Sequence, residues 1–283
     1  MTMTVFKTAE IVASAILFLL IATEEGSAYL FEPNCGTANI TYKIPGKADA
    51  DIFLNPWMVL VIGEANCGGS LINSRFVLTA AHCLSSSPMK ARFGDYDTEH
   101  SGEDCMPSGD CIPSAFAIDV DKKISHEDYD NFKADIALLR MRSTVKFSEH
   151  VRPICLLVDE QVGTISHFNI TGWGQTKEGG KLSRILKTGT QSEVDSTKCA
   201  GRFKLFKTQV DSFHICAGSS NSSACGGDSG GPMSAVIAYQ GTLRHTQFGI
   251  ISFGLRSCRG LDVHTNVSYY MDWIVHATKT YSV

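Results

Sequence analysis

The segment Cys225-Gly226-Gly227-Asp228-Ser229-Gly230-Gly231-Pro232 gathers four glycines around one carboxylate and one hydroxyl. Glycine reaches backbone conformations closed to other residues, so such a run makes a poor helix or strand but lets main-chain N–H groups converge beside a side chain able to attack. Convergent donors next to a nucleophile are what an oxyanion hole requires. A flexible turn has the same composition, so the segment takes its meaning from what accompanies it.

Two other segments supply that company. Cys67-Gly68-Gly69-Ser70-Leu71-Ile72 runs toward Leu78-Thr79-Ala80-Ala81-His82-Cys83, which sets a histidine beside a cysteine able to pair with Cys67 and lock the loop. A histidine held in this way can serve as a positioned base. Asp135-Ile136-Ala137-Leu138-Leu139-Arg140 opens with an acid at the edge of an apolar run, where partial burial demands a donor partner. With nine histidines in the chain, His82 alone would pass for a structural residue, and Asp135 alone for a strand-end cap. Taken in order, histidine, aspartate and serine form one of the chain orders in which a nucleophilic triad is built.

The elements that must position these groups are short. From Asn55-Pro56-Trp57 onward the chain reads as apolar runs separated by Gly, Asn and Ser. Strands are expected at Trp57–Ile62, Ser70–Ile72 and Phe76–Thr79, with Asn73-Ser74 as a hairpin turn. Helical periodicity is clear only near the end, where Tyr270, Trp273, Ile274 and Ala277 share a face and Asn266 or Ser268 can cap the start. Many short strands and one terminal helix predict an all-β barrel or sandwich. Neither an internal repeat nor a low-complexity linker interrupts the pattern.

Composition narrows the function classes. A chain of 283 residues with 43% hydrophobic content can bury a sizeable core. A formal net charge of -4 without a run of Lys or Arg leaves no footprint for nucleic acid or an anionic membrane surface. Lys7, the apolar run Ile11–Ala22 and the small residues Gly26-Ser27-Ala28 read as a secretory signal over residues 1–28, the alternative being an N-terminal core helix. The run is too short to span a bilayer and no second one follows, so a soluble, secreted, extracellular protein is expected. In that oxidising compartment ten cysteines read as disulfides, and the absence of any C-x-x-C spacing argues against a metal site. A polar lead containing Cys35, Tyr29–Lys43, ends at Lys43-Ile44-Pro45-Gly46, where a basic residue precedes an aliphatic one.

The blocks around His82, Asp135 and Ser229, together with the cysteines and Gly172-Trp173-Gly174, resemble the signature of the trypsin/chymotrypsin-like serine proteases from about Ile44 to the C-terminus. The overall pattern, including the tethered lead and a cysteine pair in the first half, is similar to the catalytic domains of insect immune and developmental proteases, here without a separate clip module. The resemblance implies two packed six-stranded antiparallel Greek-key barrels with a C-terminal helix and the triad in the cleft between them. It implies residues 29–43 as a short propeptide and 44–283 as the protease domain. It assigns Ser229 as nucleophile, His82 as base, Asp135 as its orienting partner, and the N–H groups of Gly227 and Ser229 as the oxyanion hole. Cleavage after Lys43 would free an Ile44 ammonium to insert beside Asp228, although Pro45 and Lys47 stand where Val and Gly are usual. The implied disulfides are Cys35–Cys155, Cys67–Cys83, Cys199–Cys216 and Cys225–Cys258, which leaves Cys105 and Cys111 for a local bridge. A further family disulfide is missing at both ends, where Phe168 and Ala235 stand.

The same resemblance places the primary substrate pocket at Ser223, Ser252, Gly254 and Asp262. Ser223 occupies the floor position where trypsin-like enzymes carry Asp, and a neutral floor favours apolar side chains. Asp262 stands where the wall usually has Gly, and a carboxylate there could receive Lys or Arg from another direction. On a strand Asp262 and His264 point to one face, so Asp262 either pairs with His264 or is turned to solvent by a shifted loop. Sequons at Asn39, Asn169, Asn221 and Asn266 are candidate glycan sites, with Asn169 expected on a strand.

The expected activity is therefore that of a secreted serine endopeptidase made as a zymogen, monomeric and needing no cofactor. Its partners would be a protein or peptide substrate, an upstream activating protease and a protein inhibitor. A catalytically silent homologue acting as a binding or cofactor protein would normally have lost His82, Asp135 or Ser229, and all three are present. A disulfide-rich adhesive domain would lack a reactive serine.

Overall fold

The structure, a computed structural model, describes residues 29–38, 48–51, 53–106, 109–158, 163–204, 209–255 and 257–282. The expected signal over residues 1–28, the Lys43–Ile44 junction and the sequon at Asn39 lie outside the described residues.

The lead contributes β1 (Tyr29–Leu30), and β2 (Ala48–Asp49) follows the Lys43–Ile44 junction. The first barrel is built from β3 (Met58–Ile62), β4 (Cys67–Leu71), β5 (Phe76–Thr79) and β6 (Lys90–Phe93). After a small hairpin of β7 (Asp104–Cys105) and β8 (Cys111–Ile112), it is completed by β9 (Phe116–Ser125) and β10 (Ala137–Met141). Its order, β10-β5-β4-β3-β6-β9, closes on itself. The turn between β4 and β5 forms where expected, because Asn73 Oδ1 accepts from Arg75 N at 2.8 Å and Phe76 N at 2.9 Å. β11 (Leu157–Val158) then bonds back to β1, Tyr29 opposite Val158.

The second barrel comprises β12 (His167–Gly172), β13 (Lys187–Glu193), β14 (His214–Ser219), β15 (Pro232–Tyr239), β16 (Thr242–Gly254) and β17 (Gly260–Asn266). They run in the order β12-β15-β16-β17-β14-β13, a second β12–β13 pairing closes the six, and β2 hangs on β13. The architecture is thus two six-stranded antiparallel barrels and a C-terminal helix, as the sequence led us to expect. Among the described residues no helix is long and apolar enough to cross a membrane.

One helix was not anticipated. α1 (Ser196–Phe203) lies between β13 and β14, capped by Asp195, whose carboxylate accepts from Thr197 N at 3.0 Å and Lys198 N at 3.1 Å. It buries Cys199 and Phe203. At the C-terminus α2 (Met271–Thr280) follows a 3₁₀ turn at Ser268–Tyr270. The expected cap acts a turn early: Asn266 Oδ1 accepts from Ser268 N at 3.1 Å and opens the 3₁₀ turn, while no side chain caps α2 itself. Tyr270, Met271, Ile274 and Ala277 join a core that also takes in Trp173, Leu186 and Ile250 from the second half of the chain. That shared core holds the two barrels together, each fully buried aliphatic side chain stabilising by about 1.5–3 kcal/mol.

Five disulfides link Cys35–Cys155, Cys67–Cys83, Cys105–Cys111, Cys199–Cys216 and Cys225–Cys258, and no described cysteine is free. Cys35–Cys155 ties the lead to the barrels across 120 residues of sequence. Phe168 and Ala235, where the resemblance lacks a disulfide, fall in one apolar cluster with Phe248. Of the sequons, Asn169 lies on β12 opposite Thr190, and Asn221 is exposed.

Candidate active site

His82 sits in a 3₁₀ turn, Ala81–Cys83, that leaves β5 at the seam and is pinned by the Cys67–Cys83 bridge. Asp135 comes just before β10, after a loop in which Asn131, Phe132 and Ala134 take φ of 44°, 71° and 47°. Left-handed backbone at non-glycine residues is strained and needs surrounding structure to hold it. Here the strain accompanies a carboxylate turned wholly inward, 0% exposed, against a ring that keeps 23% of its side chain open.

Every oxygen of that buried carboxylate is satisfied. Oδ1 accepts from His82 N at 2.9 Å, while Oδ2 lies 2.7 Å from His82 Nδ1 and accepts from Ser252 Oγ at 2.5 Å. An ionised carboxylate only accepts, so Nδ1 carries the proton and Nε2 is left with a lone pair for another donor. Ser252, expected at the substrate pocket from the sequence, commits its hydroxyl to Asp135. Thr265 Oγ1 adds a bond to the Asp135 main-chain oxygen at 2.8 Å.

Ser229 is carried on the loop between Cys225 and β15. Gly230 adopts φ +79°, and a Cβ there would stand 2.2 Å from Thr79 Oγ1, 2.4 Å from Gly68 O and 3.2 Å from Ala80 N. Gly68 N donates to Ser229 O at 2.7 Å. The serine loop is therefore pressed on the end of β5, three residues before His82, a closeness only glycine allows. Asp228, Gly230 and Gly231 each spend their N–H on a backbone oxygen. The N–H groups of Gly227 and Ser229 have no acceptor among the described residues.

Asp228 is 2% exposed and accepts from Gly174 N at 2.7 Å and Cys225 N at 3.0 Å. A Cβ on Gly172 or on Gly174 would come within 2.3 Å of its carboxyl group. The Gly172-Trp173-Gly174 motif is thus a cradle for this acid.

The pocket residues Ser223, Gly254 and Asp262 come together. Asp262 pairs with Gly254 in register and is 0% exposed, so it is not turned to solvent. Nor does it touch His264. Its carboxylate accepts from Ser223 Oγ at 2.9 Å to each oxygen, from Ala224 N at 2.7 Å and from Gln191 Nε2. Gln191 in turn meets His264 Nε2 through its Oε1 at 3.0 Å. The two groups expected to pair lie two residues apart on one strand face, a separation that a side-chain amide fills. Burial raises the Asp262 carboxyl to about 6 and lowers the His264 imidazole to about 3. Gln191 escaped sequence reasoning because a glutamine in Lys187–Glu193 reads as solvent-facing.

A family model described as Trypsin matches residues 44–274. The chain is 31% identical over 265 residues to Serine protease grass of Drosophila melanogaster, covering 85% of this chain and 69% of that protein. It is 34% identical over 264 residues to the Spaetzle-processing enzyme of Drosophila melanogaster, covering 82% and 65%. It is 34% identical over 272 residues to the Phenoloxidase-activating enzyme of Bombyx mori, covering 82% and 60%. The chain thus spans less than two thirds of the length of the last two. With two closed barrels, a buried aspartate on a histidine at their seam and these matches in hand, the chain belongs to the trypsin family of serine proteases.

Proposed function

We propose that the protein is a secreted serine endopeptidase in which Ser229, His82 and Asp135 act as the triad. The observation that carries this reading is the 2.7 Å contact of His82 Nδ1 with a fully buried Asp135 carboxylate, because it leaves Nε2 to accept, on a turn whose preceding residues Thr79 and Ala80 lie against Gly230 of the serine loop. Ser229 Oγ attacks the scissile carbonyl carbon as His82 Nε2 takes its proton. The same proton is then delivered to the leaving amine, and water repeats the sequence to free the acyl group. Asp135 keeps the tautomer and stabilises the imidazolium. The uncommitted N–H groups of Gly227 and Ser229 receive the oxyanion, and loss of one such donor typically costs about 10²- to 10³-fold in turnover.

Activation by an upstream protease cutting after Lys43 fits the tethered lead: Cys35–Cys155 would keep residues 29–43 attached after cleavage. The freed Ile44 ammonium would join Asp228 in its glycine cradle, a buried ion pair serving as a switch. For specificity we favour a basic residue before the scissile bond (P1), since Asp262 places a carboxylate behind the neutral Ser223 floor. Its three donors already offset part of that charge, so discrimination is softer than a bare aspartate would give. The test is hydrolysis of fluorogenic peptides by protein cleaved after Lys43. Cleavage that persists in Ser229→Ala overturns the triad assignment, and equal rates on P1-Arg and P1-Leu peptides overturn the pocket assignment.

A further inference from the structure

Three polar side chains are sealed beneath the pocket where apolar residues would pack at lower cost: Asp262 and His264 are 0% exposed and Gln191 is 1% exposed. Their chemistry fixes the direction of every bond. An ionised Asp262 only accepts, so the Gln191 NH₂ must face it and the Gln191 oxygen must face His264. An amide oxygen cannot donate, so the hydrogen lies on His264 Nε2, and Nδ1 keeps a lone pair with no partner among the described residues. The result is one polarised chain, His264 to Gln191 to Asp262, in which each bond strengthens the next.

We propose that Gln191, oriented by His264, is a positioning residue for P1 specificity: it clamps the Asp262 carboxylate against Ser223 so that its charge faces a basic side chain entering the pocket. The proposal rests on the endopeptidase reading but concerns the pocket alone. No lysine or arginine pairs with Asp262 among the described residues. The titratable groups around it are Asp228, whose charge pushes the carboxyl further up, and His264 behind the amide; β16 offers only Gly254. Without the Gln191 donor a buried carboxylate keeps its proton more firmly, and the pocket becomes neutral.

The experiment uses full-length protein cleaved after Lys43. Gln191→Met keeps the volume and removes the donor, while the double variant Gln191→Leu with His264→Leu replaces the buried pair by apolar residues that need no partner. Two readouts are taken. Labelling of Ser229 by a small fluorophosphonate reports the catalytic machinery without using the pocket. The ratio of kcat/KM on P1-Arg and P1-Leu peptides, measured from pH 5 to 9, reports the pocket. Expected are unchanged labelling and a ratio lowered about 10- to 100-fold at pH 7, the loss expected for one hydrogen bond to a charged group. The pH at which the remaining Arg preference disappears should also move upward. A ratio and profile like those of the parent protein in either labelled variant overturn the proposal, as does loss of labelling in both variants, which would make the pair structural. Absence of labelling in the parent protein itself would instead strike the endopeptidase reading.

Discussion

His82 meets Asp135 directly, at 2.7 Å, with 23% of its side chain open to solvent, whereas His264 reaches Asp262 only through the amide of Gln191, and all three of those residues are sealed. The same two residue types are thus arranged for different work. In the first arrangement Nε2 is accessible and the charge that appears on protonation is met at once by a carboxylate, so the ring can cycle a proton. In the second, an amide stands between acid and base and cannot relay a proton at neutral pH. Burial holds the ring neutral, with its pKa lowered to about 3. Direct contact and access suit chemistry; insertion of an amide and burial suit a fixed dipole behind a pocket.

Breaking the exposed arrangement should have the largest effect. Ser229→Ala or His82→Ala is expected to lower kcat on a fluorogenic peptide by about 10⁶-fold, and Asp135→Asn by about 10⁴-fold through the wrong tautomer. A next, smaller effect falls on Ser252, which supports the same carboxylate. Ser252→Ala removes one bond to a charged acceptor and should reduce kcat/KM about 10- to 100-fold on P1-Arg and P1-Leu peptides alike. A change confined to P1-Arg peptides would return Ser252 to the pocket.

The buried arrangement is probed by pH. Because the Asp262 carboxyl is raised to about 6, it is ionised at pH 7 and takes a proton as pH falls through that value. The ratio of kcat/KM for P1-Arg over P1-Leu peptides should then fall by up to about tenfold per pH unit below 6. Taking the ratio cancels any pH effect on the catalytic steps that both substrates share. A ratio flat from pH 8 to 5 would mean that the Asp262 charge is not felt by substrate.

A third histidine extends the contrast to stability. His245 packs tilted against Trp57 with ring centroids 4.8 Å apart, its Nε2 has no partner among the described residues, and burial lowers its pKa to about 4. Below pH 6.5 the unfolded chain binds a proton at this residue that the native fold refuses until about pH 4. Native stability is therefore lost on acidification across that window, by up to about 1.4 kcal/mol per pH unit. His245→Phe should gain stability relative to the parent protein by that slope in denaturant titrations between pH 6.5 and 4, and the two should run parallel above pH 7.

The blocks around His82, Asp135 and Ser229 were legible because each is contiguous and carries its own chemistry. The strands near them were legible from turn residues such as Asn73. α1 was not, since Gly201 and a polar face hide its period; its one local signal was Asp195 ahead of Ser196-Thr197. The likeness of Asp262 and His264 in strand phase could be read from their spacing, but the group that links them comes from a strand about seventy residues earlier in the chain. Only closure of the second barrel turns Gln191 inward, and no pattern within β13 announces it. Ser252 is similar: inside the apolar run Ile250–Phe253 it reads as a strand residue, and its partner Asp135 lies in the other barrel's loop.

The central claim, that Ser229 is a nucleophile activated by the His82–Asp135 pair, is tested most directly by mass mapping of protein cleaved after Lys43 and treated with a fluorophosphonate. The account predicts a stoichiometric adduct on Ser229, absent in His82→Ala and Ser229→Ala. An unlabelled Ser229 in the cleaved protein, or equal labelling in His82→Ala, would contradict it.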